Sequence, residues 1–107
     1  MASTTSQGVL FEPGKVPDGT VVINERCRIR SKDGYRVVSV SGLTLAYYAA
    51  GDRMGEAHAM VMLVEQGWAS QQEVAVAFGC DVRTVRRNQR RFEVGGIAAL
   101  GRREGYS

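Results

Sequence analysis

Four arginines at positions 83, 86, 87 and 90 carry the chemistry that stands out in this chain of 107 residues. Their offsets of three, one and three place them on one side of a helix that turns about 100° per residue. Val82, Val85, Gln89 and Phe92 fall on the opposite side, and Arg91 lies at the margin. Such a helix packs one face and presents a cationic one. Guanidinium groups in a row suit phosphates by charge and the O6/N7 edge of guanine by their two parallel donors. A solvated surface helix would also hold arginines, but it normally mixes signs. Between Val82 and Arg103 there are seven arginines and one acid, Glu93, whereas residues 1–81 hold seven basic and nine acidic residues. That segregation favours an anionic partner.

The neighbouring residues give this helix a place in a helix-turn-helix. Ser70-Gln71-Gln72-Glu73 has the form of a capping box, in which the serine hydroxyl and the glutamate carboxylate exchange hydrogen bonds with each other's backbone N–H. Val74, Ala75, Ala77 and Phe78 are the apolar positions of the short helix that follows. Gly79 suits the left-handed conformation that ends it. Asp81 is a good N-cap for the next helix, where its charge complements the helix dipole. Gly95-Gly96 stops that second helix near Val94. Two short helices joined by so tight a turn are a DNA-binding geometry, with the second helix in the major groove.

These residues resemble a known family. Arg83-Thr84-Val85-Arg86-Arg87, then Arg90-Arg91-Phe92-Glu93, then Gly95-Gly96-Ile97 and Ala99-Leu100 are similar to the N-terminal helix-turn-helix of bacterial insertion-sequence transposases. That group shows R-T-V-x-R-W-x-x-R-F in the recognition helix and a G-G-L-x-A-L link into a further helix. Ala75, Gly79 and Val85 supply the small, glycine and apolar positions of the general motif. Asn88 stands where the family often has Trp. The likeness spans about Ser70 to Arg103, under a third of the chain. It implies DNA binding more firmly than transposition, because the long catalytic domain with three metal-binding acids is not within these 107 residues. Three readings stay open: the front of a longer protein, a truncated relative, or a free-standing binder such as a small transcriptional regulator.

The upstream elements must position this motif. Asp52 to Gln66 reads as a helix with Asp52 as N-cap and Gly67 as its stop. Ala59-Met60-Val61-Met62-Leu63-Val64 is apolar nearly all round, so this helix is expected to be buried on more than one side, between a sheet and the two later helices. Met54, Met60 and Met62 read as core filler, and Trp68 as a cap on the core. Thr20 to Ala50 alternates like strand. Val21, Ile23, Cys27 and Ile29 share one face, and Asn24, Arg26, Arg28 and Arg30 the other. Lys32-Asp33-Gly34 and Ser41-Gly42 are turn signals. Tyr35 to Val40 is β-branched and reads as a return strand. Leu43 to Ala49 continues as a third strand, with a helix as the alternative there. The polar outer face normal for a small antiparallel sheet accounts for Arg26, Arg28 and Arg30; the other reading is a β-ribbon contact to phosphates. An exposed sheet edge offers a route to a homodimer.

The expected fold is therefore α+β, mainly α: a loose arm at 1–19, a three-stranded antiparallel β-meander at 20–50, and a trihelical helix-turn-helix with a basic tail at 51–107. The expected DNA contacts are Arg83 and Arg87 to base edges, Arg90 and Arg91 to phosphates, and Arg86 beside them. Gln71 and Gln72 face the backbone from the start of the first helix, and Thr84 suits either role. Arg102 and Arg103 form either a minor-groove arm or a frayed terminus.

Other functions find little support. Two cysteines, Cys27 and Cys80, far apart in sequence, read as reduced thiols rather than a disulfide. One histidine, His58, without paired cysteine spacing makes no zinc site. No base marks either thiol as a nucleophile, and no phosphate-binding loop is present. The expectation is a cofactor-free, non-enzymatic chain without a signal peptide or membrane span, at work in the cytosol with access to the nucleoid. The competing class is a protein-interaction or oligomerisation module built on the same trihelical shape.

Overall fold

The computed structural model describes residues 18–100. The expected arm thus lies almost wholly outside the described residues, and Arg102 and Arg103 lie outside them too. Four strands come first: β1 Gly19–Val22, β2 Cys27–Lys32, β3 Tyr35–Val40 and β4 Leu43–Ala49. Three helices follow: α1 Arg53–Glu65, α2 Gln71–Phe78 and α3 Val82–Leu100. The sheet is an antiparallel meander in sequence order.

The sheet has four strands where three were expected, and Asn24 is the reason. Its side-chain oxygen accepts from the backbone N–H of Arg26 at 3.0 Å and of Cys27 at 2.9 Å. The carbonyl of Cys27 accepts from the N–H of Ile23 at 2.9 Å. These bonds fold residues 23–26 into a turn and split the expected first strand into β1 and β2. Ile23 and Cys27 keep the same parity across the turn, so the alternation runs through it unbroken. A period of two cannot see such a hairpin. Arg26 consequently belongs to the turn, 5.7 Å above the Trp68 ring, and only Arg28 and Arg30 of that triplet lie in the strand.

The other two turns follow from local chemistry. Asp33 and Gly34 have φ of 54° and 82°, and Ser41 and Gly42 have 51° and 84°. Positive φ at both central residues is the mirror-image turn whose twist matches a hairpin. Leu43–Ala49 is strand, not helix, with a bulge opposite Val38 and Ser39. About half of the described residues are helical, less than "mainly α" implies.

The inner face of the sheet presents Cys27, Ile29, Val38, Val40 and Tyr48 to one core with Ala59, Met60 and Leu63 of α1, Val74 and Ala75 of α2, and Val85 of α3. The other side of α1 buries Ala57 and Val61 against Leu100 and Phe92. The all-round apolar helix thus lies between sheet and helices, as its composition requires. Asp52 caps it by accepting from the N–H of Gly55 at 3.0 Å, and Gly67 beyond its end has φ of 79°. Met60 is core, but Met54 is exposed, a departure from the expected filler role. Its place in the first turn leaves it outside the sheet–helix contact. His58 stacks on Phe92 with ring centroids 5.6 Å apart.

Arg36 joins the sheet to α1 through a 2.7 Å ion pair with Glu56. Burial pushes the Glu56 carboxyl up, and the Arg36 charge opposes that shift. Beside them, burial pushes the Tyr48 phenol up to about 12. α1 comes close to β4 at Gly55, where a Cβ would sit 2.7 Å from Tyr48 Cβ. Gly55→Ala is expected to lower the melting temperature, because overpacking of about 1–3 kcal/mol outweighs the gain of about 1 kcal/mol in helix propensity. Thermal unfolding followed by circular dichroism checks this.

Candidate nucleic-acid interface

The helix-turn-helix begins with the expected capping box. Glu73 N–H donates to Ser70 Oγ at 3.0 Å, and Ser70 N–H donates to Glu73 Oε1 at 3.0 Å. The backbone N–H of Ser70, and then the Asn24 amide, hold the Glu73 carboxyl below its ordinary range. Asn24 Nδ2 reaches both Glu73 Oε1 at 3.1 Å and the Trp68 carbonyl at 3.0 Å. The turn that splits the first strand therefore also ties the sheet to the start of α2. Nothing in the local sequence pattern signals that link between residues 44 and 49 positions apart.

Gly79 ends α2 in the left-handed region at φ 74°, and Cys80 N–H closes the turn on the Ala75 carbonyl at 2.9 Å. Cys80 packs partly buried against the core, and both cysteines are free thiols. Asp81 then caps α3: its Oδ1 accepts from Thr84 N–H at 3.1 Å and Thr84 Oγ1 at 3.2 Å. The Thr84 backbone bond is the main reason the Asp81 carboxyl is held low, and the charges of Arg83 and Arg87 add to it.

The helix faces follow the arginine spacing with one change. Val85 is fully buried and Asn88 is 8% exposed, while Gln89 stays half-buried. Asn88, not Gln89, thus takes the core position next to Val85, one turn along the helix. Its amide has a poor partner there, Met60 Sδ at 3.6 Å. Asn88→Leu is expected to raise stability by about 1 kcal/mol, because a buried amide with so weak a bond gives up more hydration than it regains. A higher midpoint in urea unfolding is the measurement.

Gln89 does something else. Its Nε2 donates to Glu65 Oε2 at 2.6 Å, and its Oε1 accepts from Gln71 Nε2 at 2.7 Å. Gln71 Oε1 in turn accepts from Arg86 Nε at 3.3 Å. One run of polar side chains thereby links α1, α2 and α3 across the mouth of the motif. It makes Gln71 a half-buried bridge between helices, while Gln72 is exposed.

Arg83, Arg86, Arg87 and Arg90 line one shallow depression of about 320 Å³ on the outer face of α3. The structure brings these four together. Arg91 is half-buried at the edge of that face. At Gly96 the helix breaks, with φ 70° and ψ −161°. The break turns residues 97–100 back so that Leu100 is buried on Ala57 and Val61, which fixes the far end of α3 on the body of the domain.

Residues 58–107 match the family described as winged helix-turn helix, a span of just under half the chain. The matched segment starts within α1 and takes in α2 and α3. Its described part, 58–100, contains only helices, and the four-stranded sheet lies upstream of it. No curated protein and no solved structure matches the chain. The helix-turn-helix match points to DNA as the partner of this half of the molecule. No helix among the described residues is long and apolar enough to cross a membrane.

Proposed function

We propose that this chain reads double-stranded DNA by sequence, with the first turns of α3 in the major groove. The observation that carries the reading is the arginine-lined outer face of α3, back to back with the buried Val85 and Asn88. A helix so anchored offers its cations as a rigid set, which favours direct reading of base edges. Arg83 and Arg87, one turn apart in the first two turns of the helix, take guanine edges. Arg90 and Arg91 take phosphates further along. Gln72 meets the backbone at the start of α2. Gln71, Thr84 and Arg86 contribute by positioning: each is hydrogen-bonded to a neighbour that sets the geometry of the helix pair or the cap.

The role that fits best is the DNA-recognition part of a transposase-like protein or a small transcriptional regulator. The recognition-helix pattern from Arg83 to Phe92 and the Gly95-Gly96-Ile97 link support it, and the reading assigns no catalysis to these residues. Repeated selection from random duplexes at near-physiological salt tests it. Enrichment of a G-containing motif is the expected result. Inverted half-sites one helical turn apart would add a homodimer. Salt-sensitive binding without enrichment, or no binding, would overturn sequence reading by α3.

A further inference from the structure

We infer that the outer face of the sheet is a second nucleic-acid surface, and that its ligand is single-stranded DNA. Strand pairing sets out the face row by row. Arg30 pairs with Thr20 and Val37, and Val37 with Tyr47. Lys32 pairs with Tyr35, and Arg28 with Val22 and Ser39. Arg28, Arg30 and Lys32 are all exposed. The nearby acids, Asp18 and Asp33, lie at the turn end of the face, where Asp18 Oδ1 accepts from the Asp33 N–H at 3.1 Å, and the strand-paired positions themselves hold none. The two tyrosines stack on each other with centroids 5.2 Å apart and planes 4° from parallel. Tyr47 nevertheless remains 64% exposed and Tyr35 44%. A depression of about 370 Å³ joins this ring pair to Arg30 and Lys32, with Asp33 at the turn beside it.

Exposed rings beside cations suit a strand whose bases are unpaired. Each base offers a π-face to stack, and its phosphate sits within reach of a guanidinium or ammonium group. A duplex hides its base faces, so phosphate contact alone would leave Tyr35 and Tyr47 in water. An ordinary solvated sheet face is expected to carry charges of both signs, and these rows carry one. The cations complement a polyanion and not a mixed protein surface. The sheet turns its other face to the helices, and the two depressions share no lining residue, so this surface is separate from the arginine face of α3. Only the choice of DNA over RNA rests on the reading of α3 as a DNA-binding helix.

Fluorescence anisotropy with a labelled 20-nucleotide oligothymidine and a labelled 20-base-pair duplex tests the inference on the full chain. Tyr47→Ala is expected to weaken single-strand binding about tenfold, the loss of one stacked base, and to leave duplex affinity unchanged. Arg30→Ala is expected to do the same through the phosphate contact and to flatten the salt dependence of single-strand binding. Arg83→Ala with Arg87→Ala should give the opposite pattern, so failure of this surface and failure of α3 are distinguishable. Single-strand affinity at wild-type strength in both Tyr47→Ala and Arg30→Ala, or no single-strand binding by the wild type, overturns the proposal. Tighter binding of oligouridine RNA than of the DNA strand overturns the choice of DNA.

Discussion

Arg83→Ala combined with Arg87→Ala is expected to cut duplex affinity by about 30-fold or more while the melting temperature changes little. Each well-placed arginine on a guanine contributes about 1–3 kcal/mol of discrimination, so losing two amounts to about 2–6 kcal/mol, or 30-fold at the least. Both side chains lie on the exposed lining of the α3 depression, where substitution removes no core contact. Both charges help to hold the Asp81 carboxylate ionised. The backbone bond from Thr84 is the larger influence on Asp81 and survives the substitution, so the cap remains. Anisotropy titration against the selected duplex reads the affinity. Salt dependence gives a second check: neutralising about five phosphates sets a slope of log K against log salt near −4 to −5. Loss of two cations should flatten that slope. Unchanged affinity in a folded variant would move the DNA contact off this helix.

Ala75→Leu is expected to have the largest effect on the fold itself. Ala75 is 2% exposed and sits among Val74, Val85 and Leu63, none of which is exposed at all. Three extra heavy atoms cannot be placed there without moving α2 from α3, at about 1–3 kcal/mol or more. Separation of the helices would also break the Gln71–Gln89 bond between them. A domain of this size has only about 5–15 kcal/mol to lose, and about 1 kcal/mol shifts its melting temperature by about 4–8 °C. Differential scanning calorimetry should therefore show a fall of at least several degrees, with duplex binding weakened as α3 loses its seat. A wild-type melting temperature would mean that the two helices cross elsewhere.

The two results depend on different kinds of information. The cationic face was legible in the order of the residues, because helical spacing alone decides which side chains share a side. The capping box at Ser70, the left-handed Gly79 and the Asp81 cap were legible for the same reason: each is a bond between residues at most four positions apart. Single-sequence reading went astray at Asn24, whose turn keeps the parity of the apolar positions and leaves no mark in the alternation. It also gave Gln89 the inner position that Asn88 occupies. The two are adjacent on the helix, and neither is apolar, so hydropathy could not choose between them.

The sequence by itself determined the local units of this protein. They are the hairpin turns with paired positive φ, the capped helices, the arginine row and the break at Gly96, all governed by backbone sterics and short-range hydrogen bonds. Tertiary structure alone decided how they meet. The Asn24 link to Glu73, the Glu65–Gln89–Gln71–Arg86 run across three helices and the return of Leu100 onto α1 join residues 15 to 49 positions apart. The Tyr35–Tyr47 stack, between residues 12 positions apart, likewise depends on β3 and β4 pairing in one register. Such contacts arise from burying α1 on both sides at once, a condition that no local pattern contains.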